Sequence, residues 1–340
     1  MQRMDRRVRA CCAGAAMAAL VLLAMPAHGQ WTWTPQTGRW INIKNLPKET
    51  AELQIEFART FLIEGDHKRA FKETNKFANF YPDSDLADQN QFLRGEIRMA
   101  QDKLVGAANE FQLVVTMYPD SSLYDDVIAK QYEIGDILYE KGQARLRKKW
   151  RLFRKRGFKQ AIEVYSMVID NQPFTDAAAE AQYKVGLCHH TREEYIEAAY
   201  EYKRVIEDYS TSEWVDDASH GLAVCYCDSA RPPDYDQEPS QLAVNAIDDF
   251  TERFPDDERV ADLEAKRAGM RESIAQQRLQ TAQFYEKRRS FDSARTYYEV
   301  LVEKFDETAA ADAARQWLED NPVMEVRAAD RVLHGKRAAS

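Results

Sequence analysis

Small and aromatic residues return along this chain at fixed offsets, within a sequence otherwise rich in charge. Six positions anchor the pattern: Pro82, Pro119, Pro173, Ser210, Pro255 and Asp306. Twelve residues before each stands an alanine: Ala70, Ala107, Ala161, Ala198, Ala243 and Ala294. Eight before each anchor lie Phe111, Tyr165, Tyr202, Ile247 and Tyr298, with Thr74 in the first unit. The residue just before the anchor is Tyr81, Tyr118, Gln172, Tyr209, Phe254 or Phe305. Twelve residues before the alanines a further small residue recurs where no insertion intervenes: Ala58, Gly95, Gly186 and Ala282.

This spacing predicts one antiparallel helix pair per repeat. The two small positions let the paired helices approach, and the aromatic on the second helix fills the gap between pairs. The string "YPDS", at 81–84 and again at 118–121, stops one helix and starts the next. Ser84, Ser121, Thr175, Ser212, Asp257 and Thr308, two after the anchors, are the expected N-caps. About six units fill residues 51–320. Two are stretched. Pro119 to Pro173 is 54 residues, an insertion of about 17, and Pro255 to Asp306 is 51, which predicts a long shared helix around 258–288. The arrangement small-x₂-Tyr…Ala-x₃-aromatic…Pro resembles the tetratricopeptide repeat. That resemblance implies an all-α fold of helical hairpins stacked into a right-handed superhelix with a concave, peptide-binding face.

Composition agrees, since 30% of the 340 residues are charged and only 13 are glycine. The net charge is −9, and residues 1–29 contribute +3 (Arg3, Arg6, Arg7 and Arg9 against Asp5), leaving −12 from Gln30 onward. Such an acidic body lacks the basic face that nucleic-acid binding needs. Residues 1–29 read as an export signal: a basic start, an apolar run, and Ala27-His28-Gly29 as a cleavage site before Gln30. An uncleaved anchor is the rival reading, the run being about 18 residues long. Neither Cys11 nor Cys12 follows a Leu-rich lipobox.

Two segments interrupt the repeats. Residues 30–50 carry Trp31, Trp33 and Trp40, which are expected to cover the open edge of the first repeat, with a partner or lipid interface as the alternative. In the insertion 144–157, eight of the twelve residues from Arg145 to Arg156 are basic. Leu146, Trp150 and Phe153 form one apolar edge of that segment on a helix. Arg147, Trp150 and Phe153 are the candidate membrane contacts, against the plainer reading of a solvated basic face paired with the acidic body. Residues 229–241 are a predicted loop inside the fifth unit, and 321–340 a flexible tail.

No catalytic or phosphate-binding motif occurs, so the chain is expected to be no enzyme and to need no cofactor or metal. The single constellation with metal-ligand chemistry is Cys188, His189 and His190 with His220, Cys225 and Cys227, and core packing is the preferred account of its thiols. The first helix of each unit offers a better candidate. Three before, one after and four after its small residue share one face, giving Ile55, Arg59 and Leu62, then Phe92, Glu96 and Met99, then Tyr132, Asp136 and Tyr139. These suit an extended peptide, with about half expected to pack on a neighbouring hairpin.

From Ala51 to Leu318 the sequence resembles the BamD-type subunit of the outer-membrane β-barrel assembly machine. The carrying stretches are "NQPFTDAAAEAQYKVG", "RPPDYDQEP" and "RESIAQQRLQTAQFYEKRRSFDSARTYY". The resemblance implies a periplasmic scaffold associated with the outer membrane. Its N-terminal repeats would receive segments of unfolded outer-membrane proteins. Its C-terminal repeats would dock the periplasmic domains of the barrel subunit through Arg271, Glu272, Arg288 and Tyr297. The family's lipobox is missing, Arg278 stands where an acidic residue is frequent, and Tyr297 where arginine is common. The alternative is a repeat adaptor of the Tol–Pal and wall-synthesis system, which usually carries a coiled-coil stretch that 30–50 lacks. A metal or redox enzyme built on the Cys/His residues ranks last.

Overall fold

The computed structural model describes residues 31–35, 38–42, 46–146 and 156–322. The export signal, Arg147, Trp150, Phe153 and the tail from 323 lie outside the described residues. Within them the fold is all-α apart from one small ribbon, and the chain divides into two compact units, to Val127 and from Ile128.

In the first unit β1 (Trp31–Thr34) pairs antiparallel with β2 (Arg39–Asn42). Two hairpins follow, α1 (Ala51–Ile63) with α2 (His67–Phe80) and α3 (Ala87–Ala100) with α4 (Leu104–Met117). Thr50 caps α1, its hydroxyl accepting from Leu53 N at 3.3 Å, and Asp66 caps α2, accepting from Arg69 N at 3.0 Å. Ala58, Ala70, Phe77, Leu93 and Ile97 close the core between the hairpins. The open edge of the first repeat is covered by the strap before α1. The Tyr81 hydroxyl donates to Lys48 O, and Lys48 N donates to the buried Gln54 Oε1 at 2.7 Å. The tryptophans expected to provide that cover are all more than half exposed. The backbone strap at Lys48 already occupies that edge.

α5 (Tyr124–Leu146) opens at the end of the first unit and runs into the second. There follow α6 (Arg156–Asn171), α7 (Asp176–Thr191), α8 (Tyr195–Asp208), α9 (Val215–Ser229), α10 (Glu238–Arg253), α11 (Val260–Lys287), α12 (Phe291–Lys304) and α13 (Ala309–Asp320). The insertion lengthens its hairpin, α5 having 23 residues where α3 and α4 have 14 each. The predicted long helix is α11, 28 residues that pack on both α10 and α12. In each unit the first helix of a hairpin also touches the first helix of the next (α1 with α3, α7 with α9, α9 with α11, α11 with α13), as stacked repeats require.

All six repeat alanines are completely buried, and so are Phe111, Tyr165, Tyr202 and Ile247 at the aromatic position. The N-cap expectation holds for Thr175 and Thr308, whose hydroxyls accept from the N–H three residues on. Ser84, Ser121, Ser212 and Asp257 instead accept from the N–H two residues on, at 2.8–3.3 Å. They close a tight turn, and the helix starts three residues after them.

Candidate interaction surfaces

The first-helix faces were the sequence's best candidates for a binding groove. In the first unit Ile55 is buried in the core, Leu62 is half-buried and Arg59 is exposed. Phe92 lies with its ring 5.0 Å from that of Phe111, while Glu96 and Met99 are half-buried beside it. Next to them Glu110 Oε2 accepts from Arg94 Nε at 2.9 Å, with Arg98 Nε 3.5 Å from its other oxygen. Both guanidiniums lie over the Phe71 ring, at 4.6 and 4.2 Å. Burial pushes the Glu110 carboxyl up, but hydrogen bonds from Arg94 and Gln91 outweigh it and hold the group below its ordinary pKa.

In the second unit Tyr132, Asp136 and Tyr139 of α5 do come together with residues of α6 and α7. Tyr132 packs on Tyr165 at 5.8 Å and Tyr139 on Phe158 at 5.5 Å. Asp136 Oδ1 accepts from the Tyr165 hydroxyl at 2.5 Å and from Lys184 Nζ at 2.7 Å. Lys184 also pairs with Glu180 at 3.1 Å and stands 4.5 Å over the Tyr132 ring. Burial, then the neighbouring carboxylate, pushes the Tyr165 hydroxyl above its ordinary pKa, so it stays a donor. The surface is therefore aromatic, with its charges already matched in pairs. A peptide binding there exchanges partners rather than meeting bare charge.

Sequence reasoning passed over two members of this face. Tyr183 stacks on Trp214 at 5.4 Å, and Arg259 bridges Asp216, Asp217 and Asp257. Tyr183 stands three before Gly186, the offset of Phe92 from Gly95, so the rule that found Phe92 reaches it as well. Arg259 had no such signal, because two of its three partners, Asp216 and Asp217, lie more than 40 residues away on α9.

The four residues proposed for partner docking fall in two places. Arg271 pairs with Glu307, donates to Lys304 O at 2.6 Å and covers the Phe305 ring. Glu272 Oε2 accepts from Ala309 N at 2.8 Å, at the N-terminus of α13. Arg271 therefore clamps α11 to the turn between α12 and α13, and Glu272 clamps it to the start of α13. Arg288 lies 17 residues further along, about 25 Å by the helical rise. There its guanidinium sits 4.5 Å over the half-exposed Phe284, and Tyr297 stacks on Tyr285 at 5.4 Å. Phe284, Tyr285, Arg288 and Tyr297 make one aromatic corner where α11 turns into α12.

The profile of the family described as YfiO, outer membrane lipoprotein, matches residues 135–332, more than half of the chain. The chain belongs to the YfiO family. No curated protein matches it significantly. Among solved structures it is similar to TTC0263, a thermophilic TPR protein in Thermus thermophilus (13% identity, 65% of this chain and 98% of that one, TM-score 0.31). It is similar also to YrrB, described as a TPR protein with an unusual peptide-binding site (16% identity, 64% and 93%, TM-score 0.34). A third is PilW, a widely conserved type IV pilus biogenesis factor (13% identity, 78% and 98%, TM-score 0.29). At such scores these likenesses add no argument to the hairpins themselves.

The YfiO match takes in Asp136, Tyr139, the α11–α13 clamp and the aromatic corner, while Ile55, Arg59, Phe92, Glu96, Met99 and Tyr132 precede it. Within the described residues of this family member no helix is long and apolar enough to cross a membrane. No three His, Cys, Asp or Glu groups among them converge on a metal position. Burial raises the thiols of Cys188 and Cys225 to about 12, so both stay protonated at neutral pH. Cys225 Sγ donates to Tyr195 O at 3.4 Å inside the core.

Proposed function

We propose that this YfiO-family chain is a non-enzymatic periplasmic scaffold of the outer-membrane β-barrel assembly machine. Membership of a family described as outer membrane lipoprotein is the observation that carries the reading. In this reading the first-helix faces around Arg59, Phe92, Glu96, Met99, Tyr132, Asp136 and Tyr139 receive extended segments of unfolded outer-membrane proteins. The half-exposed aromatics supply sequence-tolerant contact, and the paired charges keep the surface soluble when empty. The barrel subunit docks on the aromatic corner, where Phe284, Arg288 and Tyr297 offer the ring-and-guanidinium chemistry typical of binding hot spots. Arg271 and Glu272 contribute indirectly, by fixing the α12–α13 turn and the start of α13 against α11.

The test is a pulldown of tagged chain from solubilised envelopes, read by mass spectrometry. Wild type is expected to recover a barrel protein with tandem periplasmic domains, and the Phe284→Ala/Arg288→Ala variant to lose it while remaining folded. Recovery of Tol–Pal components or wall synthases without any barrel protein would sink the proposal in favour of an adaptor of that system. The Trp150→Ala/Phe153→Ala variant, run alongside, tests the proposed membrane contact of Arg147, Trp150 and Phe153. Loss of envelope association in that variant supports the contact, and unchanged association removes it.

A further inference from the structure

The ribbon that precedes the helices is built one-sidedly. In its register Trp33 faces Trp40 and Trp31 faces Asn42. Cross-strand partners lie on one face of a pleated pair, as do residues two apart on a strand, so Trp31, Trp33 and Trp40 share a single face. They are 61%, 51% and 66% exposed. The opposite face behaves otherwise: Thr34 is buried, Thr32 and Ile41 are half-buried, and only Arg39, beside the turn, is exposed. The ribbon thus turns its small side inward and its three indoles to solvent. Large apolar groups are seldom left together in water without something to cover them.

Two observations identify the cover. Residues 31–48 contain Arg39, Lys44 and Lys48 and no acidic residue, a local +3 in a chain that is otherwise strongly acidic. An anionic surface attracts this end, as it does the basic insertion, and repels the acidic repeats. The indole also pairs an apolar ring with an N–H that needs a polar partner, and the headgroup boundary of a bilayer satisfies both. We propose that the ribbon is a membrane-surface foot: Trp31, Trp33 and Trp40 enter the headgroup boundary of an anionic bilayer, drawn to it by the net positive charge of residues 31–48.

The test uses the full chain with vesicles of phosphatidylethanolamine and phosphatidylglycerol, some carrying bromine near the carbonyl region of the acyl chains. Because residues 1–29 are apolar enough to bind vesicles by themselves, the readout is ribbon fluorescence. That signal is the wild-type emission minus that of the Trp31→Ala/Trp33→Ala/Trp40→Ala variant. Exposure of all three rings leaves the variant's fold intact, which far-ultraviolet circular dichroism checks. The expected difference emission moves to shorter wavelength on adding vesicles and is quenched by the brominated lipid. The quenching weakens in phosphatidylcholine vesicles and in an Arg39→Glu variant. A difference emission that stays at its water-exposed position with every vesicle overturns the proposal. A shift produced only by wall fragments or by envelope proteins, with none from lipid, overturns it equally and assigns the face to that ligand.

Discussion

Gly95 has no side chain because the ring of Phe111 occupies the place where one would stand, 2.5 Å from an added Cβ. The same relation joins Gly135 to Tyr165 at 2.5 Å, and Tyr202 lies between Gly186 and Gly221, each at 2.9 Å. The repeat's small and aromatic positions are therefore two halves of one contact, bump in hollow. Phe111 is fully buried and also packed on Phe92, so it has no free direction in which to yield. Gly95→Ala is expected to destabilise the chain by about 1–3 kcal/mol, the usual penalty of overpacking. Gly106→Ala, whose new methyl would find its nearest neighbour at 3.9 Å, should be neutral or stabilise by up to about 1 kcal/mol. Chemical denaturation of the two variants side by side measures the difference. A loss as large for Gly106→Ala as for Gly95→Ala would show that helical propensity, not the ring contact, is being read.

Between the two helices of a hairpin the chain makes the same turn repeatedly, and in four hairpins it passes through a left-handed residue: Gly65, Asp102, Glu193 and Arg289, with φ of 79, 58, 63 and 62°. Each stands five residues before the repeat alanine, an offset that a search for small and aromatic residues does not see because only the first is glycine. A side chain in this region costs about 1–2 kcal/mol, and glycine forfeits about 0.5–1 of that in chain entropy. Arg289→Gly should therefore stabilise the last unit by about 0.5–1 kcal/mol, and Gly65→Ala should destabilise the first by about 1 kcal/mol. Opposite shifts in the urea midpoint check this, and a lowered midpoint for Arg289→Gly contradicts it. The elements were otherwise legible. Buried alanines at a twelve-residue offset placed every hairpin, and the 51-residue gap before Asp306 placed α11. The start of each helix was less so, since a serine that caps and a serine that closes a preceding turn are the same residue type in the same context.

At the scale of the molecule the charged residues act as fasteners rather than as a uniformly solvated coat. Arg259 donates to Asp257 from its backbone N at 2.8 Å and from Nη2 at 2.7 Å, and holds that carboxyl at about 2. Hydrogen bonding from Arg192, then from His189, brings Glu194 to about 2, and Arg271 does the same to Glu307. These folded-state values lie below the ordinary 3.8 for Asp and 4.5 for Glu. The unfolded chain thus takes up protons first as pH falls. The stability these pairs supply is whole above about pH 4.5 and is lost as pH drops toward about 2. Urea midpoints are expected to hold between neutrality and about pH 5 and to fall steeply below it. Arg259→Met should lower the neutral midpoint and flatten the acid slope, because Asp257 then titrates nearly as it does unfolded. An unchanged slope would remove Arg259 from the account.

Sequence alone determined the hairpin, its repeat and its number, because helix pairing demands small and aromatic residues at spacings set by the helical rise, and these survive in a linear string. It also marked the charge imbalance between the first 29 residues and the rest. Which residues of a first-helix face are left for a partner was decided only in three dimensions. Ile55 went into the core, Asp136 was matched by Lys184, and Arg271 and Glu272 were spent on holding the α12–α13 turn and the start of α13. Each outcome depends on a neighbour 30 or more residues distant in sequence, or on the depth of a helix in the stack, and no local spacing encodes either. The three tryptophans show the same division: their number was plain in the sequence, while their gathering on one exposed face follows from the strand register, which pairing across the ribbon sets.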